Sequence, residues 1–321
     1  MKKQSLTIAI HRPGKWKKLV FQITAFLLCL LSSNILFSAE CINSTAPVHI
    51  LPPGVDQPSD LALSPGGDIY LVDGVNNRIV VVNGKGDLKF EFGKSGSKPG
   101  EFIHPMGIDI SNRGRVFIAD TGNHRIQVFS LKGDFLHLFP VKTAAGEKPA
   151  APVDVLALDF KNYVYVSDRD NHKIKVHKQS GRFVFQWGRF GEGRGEFRYP
   201  GIMAKNAYNE IFVVDVLNTR VQKFDPFGNY VSEIGSWGVS PGELFKPKGV
   251  AVDKKDRVFV SDSYMGCIQV FTDAGGFLGL VCDNKIKRRF ITPVGLAIDD
   301  QSRLHVVEMR ANRISILNLI K

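Results

Sequence analysis

Beyond about residue 53 the chain alternates apolar and polar positions in short runs, broken by Gly, Asn and Asp. That is the period of half-buried strands joined by tight turns, and no helical period occurs after residue 40. One stretch shows the order clearly: runs at 107–110, 116–119, 126–129 and 135–139 predict four consecutive strands, a to d, with turns at 120–124 and near Gly133. The same order recurs six times at a spacing of about 47 residues. Its proline column reads Pro58, Pro105, Pro152, Pro200, Pro247 and Pro293, and its acidic column Asp73, Asp120, Asp168, Asp215, Asp262 and Glu308. Four-stranded units at such a period predict the blades of a β-propeller around a central channel, so the fold class is all-β and six-bladed.

The ends of the chain predict how the ring closes. Unit six stops after its third strand at 313–317, whereas residues 46–51, ahead of unit one, have strand composition and no partner. This segment is expected to supply the outer strand of blade six, which removes two exposed sheet edges. The expected organisation is a leader over 1–39, a short linker over 40–45 and a propeller over 46–321.

These repeats resemble the NHL-repeat family. The resemblance rests on turns such as Thr121-Gly122-Asn123-His124-Arg125 and on the links 92–102, 187–197 and 235–245, and it covers nearly all of the chain after the leader. For the fold it is specific. For an activity it says little, because the family includes binding modules and a few enzymes.

Residues 1–18 hold Lys2, Lys3, Arg12, Lys15, Lys17 and Lys18 without an acid, and an apolar run follows over 19–31. A basic flank before an apolar stretch reads as an export signal or, with 19–39 taken whole, as a membrane anchor. Either reading places the propeller outside the cytoplasm, periplasmic or secreted. Of the formal net charge of +11, six units lie in the leader, so the propeller is nearer +5.

In a blade meander the b–c turns and the inter-blade links emerge on one face. The links are rich in Lys and Arg, among them Lys94, Arg189, Arg194, Arg198, Lys246, Lys248, Arg288 and Arg289, and this link face is expected to favour an anionic partner. Residues that vary from blade to blade at its axial rim are the candidate binding set: His104, Arg169, Lys248, Tyr264 and Arg310, with Arg288 and Arg289 beside them.

Blade five breaks the pattern twice. Cys267 stands where Arg78, Arg125, Lys173, Arg220 and Arg313 open the third strand, and Cys282 where Gly93, Gly188 and Gly235 close the fourth. Opposed across a hairpin, this pair is expected to form a disulfide, with Cys41 left over.

The acidic column reads as structural. An Asp ending a strand accepts bonds from the following turn, and a basic residue five positions on reaches back to it. Six equivalent copies argue against a single catalytic site. The resemblance extends in architecture to a zinc-dependent amidating lyase and to calcium-dependent lactonases, which makes a channel metal the rival expectation. Zinc needs converging imidazoles, and His49, His104, His124, His137, His172, His177 and His305 do not converge by position in the repeat, with His49, His137 and His177 assigned to outer strands. No nucleophile elbow, zincin motif, phosphate loop or haem motif occurs. The preferred reading has no catalytic residue, metal or cofactor. It is an exported, non-enzymatic binding module for a protein or an anionic glycan or lipid surface, not for nucleic acid, with membrane attachment through 19–39 as an option. The rival is a metal-dependent lyase or hydrolase acting at the channel.

Overall fold

The computed structural model describes residues 40–320 apart from 284, 285 and 288. The segment 1–39, expected as an export signal or membrane anchor, and the candidate residue Arg288 therefore lie outside the described residues.

Six sheets surround an axis, each built on four antiparallel strands. Blade two is representative, with strands Pro105–Ile110, Arg115–Asp120, Arg125–Ser130 and Phe135–Pro140 paired in sequence. In each blade strand a is innermost. Its start lies at the link face because the link from the preceding blade feeds it there. Strand b is buried along its whole length in blades one, three, four and five, which explains its run of β-branched and aromatic residues.

The core is distributed as six apolar layers, one between each pair of neighbouring blades. A strand-b aromatic column fills them: Tyr70, Phe117, Tyr165, Phe212 and Phe259, all fully buried. Two of these also tie neighbouring blades together, since the Tyr70 hydroxyl donates to the Leu131 carbonyl at 2.5 Å and that of Tyr165 to Pro226 at 2.7 Å. In blade six the column holds His305 instead.

The ring closes as the sequence predicts. Val48–Ile50 pairs antiparallel with Arg313–Asn318, in the register Val48 to Ile316 and Ile50 to Ile314, as the fourth strand of blade six. Ile50 then packs in the layer shared by blades six and one.

Two expectations need correction. Residues 41–44, expected as linker, form the strand Cys41–Ser44, which lies parallel to Phe277–Asp283 and adds a strand to the outer edge of blade five. This places Cys41 beside Cys282, and the disulfide joins these two, with Cα atoms 5.5 Å apart. The Cys267–Cys282 bridge is not formed. Cys267 is a free thiol, 4% exposed, packed with Met265, Leu280 and Cys282. The reason is topological. Cys282 sits on a strand flanked on both sides, and its partner comes from the outer side, 241 residues away in sequence. Burial pushes the Cys267 thiol well above its usual range, with the Asp262 charge acting in the same direction.

Candidate functional site

The acidic column is a scaffold element. The Asp120 carboxylate accepts from the Ile103 amide at 2.9 Å, the Asn123 side chain, Arg125 Nε at 2.7 Å and Gln127 Nε2 at 2.9 Å, and it is fully buried. Asp215 repeats this arrangement with Arg198, Asn218, Arg220 and Gln222. A carboxylate saturated by four donors has no capacity left for chemistry. In blade five Met265 replaces the Asn, and it is buried against the cysteine cluster.

The basic character of the link face is partly cancelled by pairing. Lys94 meets Glu101 at 3.5 Å, Arg189 meets Glu196 at 2.7 Å and Arg198 meets Glu192 at 2.8 Å. Among the described residues Lys246, Lys248 and Arg310 have no acidic partner, and Lys246 lies over the Tyr264 ring at 5.5 Å. Exposed Phe190, Tyr199, Leu217, Trp237, Tyr264 and Ile291 share this face with them.

At its centre the channel opens as a cavity of about 740 Å³. The residue after each blade proline contributes to the wall, and around the ring these are Ser59, Met106, Val153, Gly201, Lys248 and Val294. Leu217, Val216, Ile202 and Met309 add apolar surface. Arg169 and Asp170 also line the cavity, neutralising each other at 2.8 Å. Lys248 is half-buried, and it has neither a carboxylate nor a hydrogen-bond partner among the described residues. Burial in this apolar wall lowers the pKa of its ammonium, and the neighbouring charge of Lys246 lowers it further.

Of the candidate binding set, then, the structure brings Arg169 and Lys248 together in one cavity. His104, Tyr264, Arg289 and Arg310 are exposed on the same face but do not line it. His104 precedes a blade proline in a left-handed conformation, and its amide donates to Asn77 at 2.7 Å. Tyr264 packs its ring on Phe245.

Below the mouth the channel narrows to a waist of about 220 Å³ lined by Asp60, Asp109, Asp154 and Lys205. Sequence reasoning missed this group. The signal was present, because the second position after each blade proline reads Asp60, Gly107, Asp154, Ile202, Gly249 and Gly295, two acids among small or apolar residues. Each acid clasps neighbouring blades. Asp60 accepts from the Ile108 amide at 3.2 Å, and Asp154 from the Met203 amide at 2.7 Å. Glycine is required beside them, since a Cβ on Gly107 would stand 2.4 Å from Asp154 Oδ1. Burial raises both carboxyls far above the usual range, opposed by their backbone donors, and the Asp60 charge adds to the rise of Asp154.

The opposite end of the channel, about 590 Å³, is bordered by a–b turns and by His305, which donates from Nε2 to Asp299 at 3.1 Å. His137 lies on an outer strand and His49 on the closing strand, as predicted, whereas His177 lies on the third strand of blade three. Among the described residues no three His, Cys, Asp or Glu side chains converge in a metal-binding group, and no helix is long and apolar enough to cross a membrane.

The NHL repeat model matches residues 56–82, 102–129 and 246–271. No curated protein matches the sequence. Among solved structures the chain is similar to a gluconolactonase from Xanthomonas campestris, with TM-score 0.66 and 14% identity over 88% of this chain and 96% of that one. It is also similar to virginiamycin B lyase from Staphylococcus aureus, with TM-score 0.61 and 14% identity over 85% of this chain and 99% of that one. At such identities the likeness shows the fold alone. With three matched repeats and six four-stranded blades closed into a ring, this chain is an NHL-repeat β-propeller.

Proposed function

We propose that this chain is a non-enzymatic binding module that takes an anionic partner at the axial mouth of its link face. The observation that carries this reading is the contrast in pairing. Lys94, Arg189 and Arg198 are neutralised by their own links, while Lys246, Lys248 and Arg310 carry positive charge with no acid within reach among the described residues. Unpaired cations beside exposed aromatics combine a field that attracts anions with apolar surface to hold them. The export-like leader supports a location outside the cytoplasm and a partner in the cell envelope, of protein, glycan or lipid nature.

The test is binding to immobilised dextran sulfate as salt rises from about 0.05 M to about 0.5 M, a range over which screening shortens from roughly 14 Å to roughly 4 Å. Affinity should fall steeply, and a Lys246→Glu, Arg310→Glu double variant should bind about tenfold more weakly at low salt. Affinity unmoved by salt and by this variant would reject the reading.

A channel-acting lyase or hydrolase is the second reading. Its support is the pair of waist carboxyls, Asp60 and Asp154, which burial biases toward the protonated, acid form. Stoichiometric zinc or calcium retained through dialysis would favour it over the binding module.

A further inference from the structure

The ring of residues that follow the blade prolines around the mouth has one odd member. Five of its six positions are uncharged, namely Ser59, Met106, Val153, Gly201 and Val294, and the sixth is Lys248. Among the described residues the only other charges on the wall, Arg169 and Asp170, cancel one another. The cavity thus presents a single uncompensated positive charge on an otherwise largely apolar surface, in a volume of about 740 Å³. That volume is within the range of roughly 300–1,000 Å³ typical of small-molecule sites.

From this geometry we infer that the axial mouth is a small-molecule site for a monoanionic amphiphile, a carboxylate with an apolar body, whose headgroup pairs with Lys248. The inference rests on the reading of the link face as the binding face and names the ligand class for its centre. A half-buried ammonium without a partner has lost part of its hydration and gained nothing in exchange. A carboxylate restores a charge-assisted bond, and one negative charge completes the neutralisation. A dianion such as phosphate would bring a surplus charge into the apolar wall. A neutral apolar molecule would leave the ammonium unpaired and drier than before. The thioethers of Met106 and Met309 adapt to bodies of different shape, so chain length is less discriminating than charge.

Calorimetric titration of the full protein with octanoate, octanol and acetate separates the contributions. Octanoate should bind one per chain, at least tenfold more tightly than octanol, and acetate should show no measurable binding. Lys248→Met keeps the length and apolar stem of the side chain. It should remove the preference for octanoate while leaving octanol binding intact, and the retained octanol binding would show that the cavity is still folded. Lys248→Arg should retain the preference. Equal affinity for octanoate and octanol in the unaltered protein, or octanoate binding indifferent to Lys248→Met, would overturn the inference. Dextran sulfate binding depends on Lys246 and Arg310, so loss of that interaction with octanoate binding intact would refute only the wider reading of the face.

Discussion

Lys175 shows how one substitution in a repeat column changes the local physics. At this position of the third strand blades two, four and five have Gln127, Gln222 and Gln269; the first two bridge their strand-b Asp and the preceding link, and Gln269 bonds the link through Gly242 and Glu243. In blade three the position holds Lys175, fully buried, with Nζ 2.8 Å from both Asp168 and Glu147. Glu147 comes from the link that lacks the usual Gly-rich form, and it also meets Lys173 at 2.6 Å. Burial alone would raise the Glu147 carboxyl, but its bonds to Lys173 and Lys175 outweigh this and hold it at about 2. A carboxyl depressed in the folded state stabilises fully above its unfolded value near 4.3, and that stabilisation disappears as pH falls through the folded value. Glu147→Gln should therefore be about 3 kcal/mol less stable than the unaltered protein at neutral pH. In urea unfolding the gap should narrow between about pH 4.5 and about pH 2. A gap that stays constant over this range would show that the ion pairs do not set it.

The strand Cys41–Ser44 contributes differently from the others, because it pairs parallel on the outside of a sheet already four strands wide. Parallel edge pairing is weak by itself. It is held by the Cys41–Cys282 bridge and by the Ser44 hydroxyl, which donates to the Cys282 carbonyl at 2.8 Å. A bridge spanning 241 residues restricts the unfolded chain strongly, and its removal should cost about 2–5 kcal/mol. Cys41→Ser should lower the unfolding midpoint by a corresponding amount, and reductant should have little further effect on this variant. A non-reducing digest should link the peptides of Cys41 and Cys282 and leave Cys267 alkylated only after unfolding. A recovered Cys267–Cys282 peptide would contradict the pairing.

A propeller with six inter-blade layers has no end only if the last layer forms as well as the others. Here that layer contains Ile50, Leu61, Ile69, Val307, Ile314 and Ile316, drawn from both extremes of the described chain. Contacts between such distant segments are entropically demanding to form and make closure a late, cooperative event. Ile50→Ala should lower stability by about 2–4 kcal/mol, as expected for a buried aliphatic truncated in a layer that cannot collapse. Hydrogen exchange should show the loss unevenly. Amides of the third strand of blade six should exchange faster, while those of blade three keep their protection. Uniform loss across all blades would mean that the ring opens only as a whole.

Much of this architecture was legible in the chain because repetition multiplies a weak signal. One alternating run is ambiguous, but Pro58 to Pro293 and Asp73 to Glu308 set strand number, blade number and order together. The closing strand was legible too, since blade six lacked a member and residues 46–51 lacked a partner. The disulfide was misread because local register placed Cys267 opposite Cys282, whereas Cys41 arrives from a segment with no repeat to mark it. The mouth and the waist were half-visible. Lys248, Asp60 and Asp154 are odd members of their columns, but a column does not say whether a side chain points into a cavity, a neighbouring blade or solvent. Periodicity and composition are properties of neighbours along the chain, and they sufficed for blades and their number. Which thiols pair, which cations lack acids and which carboxyls face the channel depend on distances between residues far apart in sequence, and only closure of the ring sets those.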